Sequence, residues 1–183
     1  GFTTDLADRP QDAEIVLGGM VTKVRQLVSR NGPRAGSKMA VFELQDLQGK
    51  CEVVMFAEIY ERFGTLLAVD RVVFVKGKVD HSRETPQVRC EELILLEQAA
   101  QRLAARVRVN FEHDQVTEDL VARVRSLCEG HRGASRLHVS LTTPAGFRIR
   151  AVANERLNVR PDVEFCEKLR ALVGHDRVEL LRR

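Results

Sequence analysis

Between Ile15 and Phe42 the chain carries no aspartate or glutamate, yet Lys23, Arg25, Arg30, Arg34 and Lys38 all fall within that stretch. Guanidinium and ammonium groups without acidic partners are suited to phosphate, which they attract without regard to base sequence. A second stretch, "VDHSRETPQVR" (79–89), adds His81, Arg83 and Arg89. The remaining reactive residue types do not cluster in this way. His113 stands between Glu112 and Asp114 in "FEHDQ", and neighbours on a strand point to opposite faces, so these three do not converge on one atom. Cys51, Cys90, Cys128 and Cys166 lie nearly forty residues apart, without the paired spacing of metal sites or thiol redox motifs, and read as buried or half-buried thiols in a reducing compartment. No phosphate-binding glycine loop, nucleophile elbow or paired-carboxylate motif occurs, so we expect no catalytic residue, no bound metal and no cofactor.

The elements that would carry the basic residues alternate like a small antiparallel barrel. "AEIVLGGMVTKVRQLVS" (13–29) reads as a long strand bent at Gly18-Gly19. "SKMAVFELQD" (37–46) and "KCEVVMF" (50–56) form a hairpin, and "AEIYERFGTLL" (57–67) places Ile59, Phe63 and Leu66 or Leu67 at helical spacing. "RVVFVKGKVD" (71–80) and "QVRCEELILLE" (87–97) complete five strands. Three strands, a helix and two more strands, with a glycine bend in the first, is the order of the five-stranded OB-fold barrel. In that fold the loop after the first strand, the face of the second and third strands, and the loop between the fourth and fifth receive an oligonucleotide. Alternation puts Phe42 with Ala40 and Leu44 in the core and leaves Phe74, beside Lys76 and Lys78, as the one ring of the first half read as exposed. The candidate DNA-binding residues are therefore Lys23, Arg25, Arg30, Arg34, Lys38, Arg83, Arg89 and Phe74, with binding carried more by charge than by stacking.

We place the first domain at residues 1–98 and the second at 99–183, linked through the helical "EQAAQRLAAR" (97–106). Residues 1–98 carry 13 Lys+Arg against 15 Asp+Glu, whereas residues 99–183 carry 16 against 11, and 15 of those 16 are arginine. The second half reads as strand 106–112, helix 114–131, strands 135–143 and 147–153, helix 161–174 and strand 177–181. That succession, β-α-β-β-α-β, predicts a ferredoxin-like α+β sandwich, with "NERLNVR" (154–160) as a further short strand. In "AGFRIRAV" (145–152), Phe147 reads as core while Arg148 and Arg150 share the opposite face. No run reaches the roughly 18 apolar residues of a membrane span, and "GFTTDLADRPQD" is unlike a secretory signal, so a cytoplasmic setting without membrane is expected.

The segments "VLGGMVTKVRQLVSRNGPRAGSKMAVFELQDLQGKCEVVMF" and "AEIYERFGTLLAVDRVVFVKGKVD" resemble the OB domain near the C-terminus of bacterial replicative DNA polymerase III alpha subunits. The resemblance rests on Gly18-Gly19, Lys38 to Asp46 with Gly49, Glu52 to Phe56, Tyr60 to Leu67 and Val73 to Val79. The tail, with "GHRGASRLHVSLTTPAGFRIRA" and "VRPDVEFCEKLRALVGHDRVEL", is similar to the end of many such subunits. The resemblance implies a non-catalytic piece of a DNA polymerase, with the polymerase carboxylates upstream, an OB domain on single-stranded template, and a tail that binds the clamp-loader subunit tau. A chain that starts without methionine fits that expectation. Two other readings stand beside it: a protein-interaction module that binds no DNA, and an RNA-binding OB domain of the tRNA-anticodon type.

Overall fold

A computed structural model of the chain describes residues 1–28 and 36–182. It divides into two compact units, Gly1–Leu96 and Glu97–Arg183.

The first unit is a closed barrel with strand order β1-β2-β3-β5-β4, formed by β1 (Glu14–Val28), β2 (Lys38–Gln45), β3 (Lys50–Met55), β4 (Val72–Asp80) and β5 (Gln87–Leu95). Closure comes from a short parallel contact of β3 with β5, Val53 against Val88 and Val54 against Arg89. β1 serves two neighbours: residues 14–20 pair with β4 and residues 20–28 with β2. Gly18 and Gly19 stand at that changeover. A Cβ on Gly19 would lie 2.5 Å from the carbonyl oxygen of Gln45, so only glycine lets the two backbones approach. A Cβ on Gly18 would lie 2.6 Å from the Phe74 ring, which covers the gap on the outer surface.

Period-two alternation fills the interior. Leu17, Val21, Ala40, Phe42, Leu44, Val53, Met55, Val73, Val75 and Val79 are buried in one cluster. α1 (Ala57–Phe63) packs Ile59, Tyr60 and Phe63 against it. A 3-10 turn at Thr3–Asp8 adds Leu6 and is fastened by Asp46, whose carboxylate accepts from the Thr3 backbone N–H (2.6 Å) and hydroxyl (3.0 Å) and from the N–H groups of Gln48 (2.8 Å) and Gly49 (2.9 Å).

The second unit begins in α2 (Leu96–Leu103) and holds β6 (Arg106–Glu112), α3 (Glu118–Gly130), β7 (Arg132–Thr142), β8 (Arg148–Val152), α4 (Val163–Val173) and β9 (Val178–Leu181). Thr117 caps α3 by accepting from the Leu120 N–H, and Asp162 caps α4 by accepting from the Phe165 N–H. Pro161 therefore precedes the cap and is not in the first turn, while Gly174 ends α4 at φ 103°. In place of the short strand expected at 154–160, a 3-10 turn occupies Glu155–Leu157 and Val159 makes isolated bridges to Arg132 and Ser135.

The ferredoxin-like arrangement is not what these elements build. That motif inserts the second hairpin strand between the first two strands, whereas here β6 and β7 pair directly in parallel and the sheet order is β8-β7-β6-β9. The cause lies in side-chain composition. β6 and β7 each offer an apolar row to the helices, Val107, Val109 and Phe111 beside Leu137, Val139 and Leu141. β8 (RIRAV) has only Ile149 and Ala151 on that side, and every β8 residue is exposed, so it occupies an edge. Phe147, read as core from its sequence, is 71% exposed in the turn before β8.

Candidate nucleic-acid interface

On the outer wall of the barrel, register carries one row of residues across four strands: Arg25 on β1, Val41 on β2, Val54 on β3 and Arg89 on β5. Val41 and Val54 are 5% exposed, yet neither belongs to the interior cluster. Two buried valines thus lie between two arginines. The neighbouring row is Lys23, Glu43 and Glu52.

One acid of that second row, Glu52, holds a cation of the first. Glu52 accepts from Arg25 and lies 3.6 Å from an Arg83 guanidinium nitrogen. Glu43 accepts from the Thr22 hydroxyl (2.8 Å) and pairs with Lys50 (3.2 Å). Those two contacts, with the nearby Lys23, hold its carboxyl below the ordinary range against a smaller opposing effect of burial. Exposed ion pairs of this type are worth about 0–1 kcal/mol, so a phosphate can compete for the guanidinium groups.

The loop between β4 and β5 is braced by the segment before β1. Arg89 pairs with Asp12, the His81 N–H donates to Gln11 (2.7 Å), and His81 Nε2 donates to the Arg9 carbonyl (2.7 Å). Asp80 accepts from the Ser82 N–H (2.9 Å) and the Gln87 amide (3.1 Å); the Ser82 bond is the main reason its carboxyl titrates below the usual range.

The structure thus brings Arg25 and Arg83 to one carboxylate and sets Arg89 in the same row as Arg25. Lys23 and Lys38 are exposed, and among the described residues neither has an acid at ion-pair distance. Lys38 lines an open groove of about 560 Å³ with Gln26, Ser37, Tyr60, Glu61, Gly64 and Thr65. Phe74 is half-buried, on the outer surface over Gly18, in the part of β4 that pairs with β1 and away from the arginine row. Arg30 and Arg34 lie outside the described residues. Sequence reading missed the competitors Glu43 and Glu52 and the brace formed by Arg9, Gln11 and Asp12. The first two were accessible to it, because they fall on the outward parity of β2 and β3; the brace joins residues about seventy positions apart and left no local signal.

All four cysteines are buried and free. Among the described residues no group of three or more histidine, cysteine or acidic side chains is placed to hold a metal ion, and no helix is long and apolar enough to cross a membrane.

Residues 15–96 match the tRNA_anti-codon family model, described as an OB-fold nucleic acid binding domain. The match spans the whole barrel from β1 to β5. Residues 15–96 are an OB-fold domain. Over most of its length the chain is similar to proteins named DNA polymerase III subunit alpha: that of Aquifex aeolicus is 26% identical over 171 residues, covering 92% of this chain and 14% of that protein. Those of Escherichia coli (strain K12) and Mycobacterium tuberculosis (strain H37Rv) are each 28% identical, covering 91% of this chain and 14% of theirs. The chain thus spans about a seventh of the length of these relatives. Among solved structures, asparaginyl-tRNA synthetase from Pyrococcus horikoshii aligns with 52% of the chain and 22% of its own at 17% identity and a TM-score of 0.40.

Proposed function

We propose that the OB domain holds single-stranded template DNA within a replicative DNA polymerase, and that this region is non-catalytic. Lys23, Arg25, Arg30, Arg34 and Lys38 are the main phosphate contacts, with Arg83 and Arg89 secondary and Phe74 a stacking ring at the edge. The observation that carries this reading is the convergence of Arg25, Arg83 and Arg89 on the outer wall of β1, β3 and β5, in a chain similar over nine-tenths of its length to polymerase III alpha subunits. The second unit, in the same proposal, docks a replisome partner, the clamp-loader tau subunit, in the cytoplasm.

Fluorescence anisotropy with labelled oligo-dT tests the DNA role. Each lost phosphate contact should lower the slope of log affinity against log salt by about 0.7. An Arg25/Lys38/Arg83→Ala variant that binds as tightly, with an unchanged slope, overturns it. One observation favours the protein-interaction reading: acids already occupy Arg25, Arg83 and Arg89, as they would on a wall meant for a mixed-charge protein surface. That reading expects no oligo-dT binding even at low salt.

A further inference from the structure

The sheet of the second unit has two unlike faces. Both long helices pack on one, against Val107, Val109, Phe111, Leu137 and Val178. The other presents Arg106, Arg108 and Asn110 from β6, Arg136 and His138 from β7, and Arg148 and Arg150 from β8, with Ser140 of β7 buried among them, a placement set by register: Arg106 opposite Arg136, Arg108 opposite His138, Ser140 opposite Arg150. Of these five arginines, Arg108 is committed to an acid, Glu179 (3.1 Å), which also accepts from Asn110 (2.7 Å). Arg106 donates to the Arg182 carbonyl (3.1 Å). Arg136, Arg148 and Arg150 are exposed, and among the described residues none has an acid at ion-pair distance. Burial and the fields of Arg106, Arg108 and Arg136 hold the His138 imidazole below its ordinary pKa, as a concentrated positive potential should.

We infer that this arginine face is a second binding surface for single-stranded nucleic acid, distinct from the barrel wall. Its charge fits a polyanion. A protein-docking surface keeps its charges at the rim and its apolar residues at the centre. Here the order is reversed: Arg108 and His138 lie on the central strands, whereas the exposed apolar side chain of this face, Val152, is on edge strand β8. Phe147, 71% exposed and next to Arg148, offers a ring on which an unpaired base can stack, which favours a single strand over a duplex. Contacts of this kind are blind to sequence and sensitive to salt.

The test uses the full chain and labelled oligo-dT, with Arg136/Arg148/Arg150→Ala and the corresponding triple lysine variant beside the Arg25/Lys38/Arg83→Ala variant of the barrel. The triple alanine variant should lower the salt slope by about two, the lysine variant should restore it, and Phe147→Ala should weaken binding about fivefold to oligo-dT but not to an abasic strand of equal length. A slope unchanged in the triple alanine variant overturns the inference whatever the barrel variant does, as does a loss that lysine fails to restore. If only the barrel variant is silent, the second-unit surface stands and the barrel reading falls.

Discussion

Glu52 holds Arg25 in an ion pair on the outer wall of the barrel, and the same carboxylate reaches Arg83 at 3.6 Å. Two guanidinium groups from opposite ends of the domain sequence are thereby neutralised in part by one acid. Glu52→Gln keeps the shape and removes the charge. With both arginines released to phosphate, oligo-dT should bind more tightly and the salt slope should steepen by about one. All three side chains are at least a third exposed, so the pair contributes about 1 kcal/mol or less and the melting temperature should move by only a few degrees. Equal or weaker binding by Glu52→Gln would place the DNA path away from this wall.

The two glycines of β1 predict unequal costs. Alanine at Gly19 drives its Cβ to 2.5 Å from the Gln45 backbone carbonyl, which cannot move without parting β1 from β2. Alanine at Gly18 first meets the Phe74 ring, a side chain that can turn aside. Gly19→Ala should cost about 3 kcal/mol or more and Gly18→Ala about 1 kcal/mol, the ordinary range of overpacking. Phe74→Ala should relieve the Gly18→Ala penalty and leave that of Gly19→Ala untouched. Chemical denaturation of the three single and two double variants measures all of this, and equal penalties at the two glycines would contradict the contacts described.

What could be read from the sequence follows from what each residue reports about its own strand. Ala40, Phe42 and Leu44 hold alternate positions of one strand, so their common face was legible, and the order of five strands around one helix was enough for the barrel. Pairing between distant strands is not written in alternation. Arg25 and Arg83 could be named as candidates for the same rim, but their shared carboxylate depends on the register of β1 with β2 and of β2 with β3. The second unit failed at the same point. Its element succession was readable, whereas the choice between inserting β8 and leaving it at the edge depends on which strand can bury two faces, and the arginines of β8 decided it. Phe147 was misread because an aromatic residue near a strand pattern was assigned to the core, and the turn at Gly146 (φ 81°) leaves it outside.

Asp46 links the hairpin of β2 and β3 to the first turn of the chain. Burial alone would raise its pKa, but the N–H groups of Thr3, Gln48 and Gly49 and the Thr3 hydroxyl outweigh it and hold the carboxyl below the usual carboxylate range. A folded-state value below the unfolded one means that its stabilising contribution is complete above the unfolded value and is lost as pH falls through the folded one. Wild-type stability should therefore decline below about pH 4 by an amount that Asp46→Asn no longer shows, the difference being read from urea titrations at pH 3 and pH 7. At pH 7 the substitution should cost about 1–3 kcal/mol, since the three donors on Oδ1 lose a charged acceptor and the fourth, the Thr3 N–H on Oδ2, faces an amide NH2. It should also free the Thr3–Asp8 turn, seen as faster amide exchange at Leu6. A pH profile identical in the two proteins would show that Asp46 carries no such coupling.

The thiols give an independent measure of each unit. Burial, with the negative field of Asp46 and Glu43, pushes Cys51 up to about 12; burial does the same for Cys90, also to about 12, and takes Cys128 to about 11. Cys166 is raised by burial as well. Only the thiolate attacks a disulfide reagent, so at pH 8 the reactive fraction of Cys51 and Cys90 falls about a thousandfold below that of an ordinary thiol, before steric protection is counted. The native chain should give almost no fast reaction with Ellman's reagent at pH 8 and four equivalents in guanidinium chloride. Because reaction then requires opening, Cys51 and Cys90 should become labelled together as the barrel unfolds, and Cys128 and Cys166 together as the second unit does. Mass spectrometry of alkylated peptides across a guanidinium series reads the two transitions separately. Native labelling of any one cysteine at the rate of a free thiol would contradict the burial that sets these values.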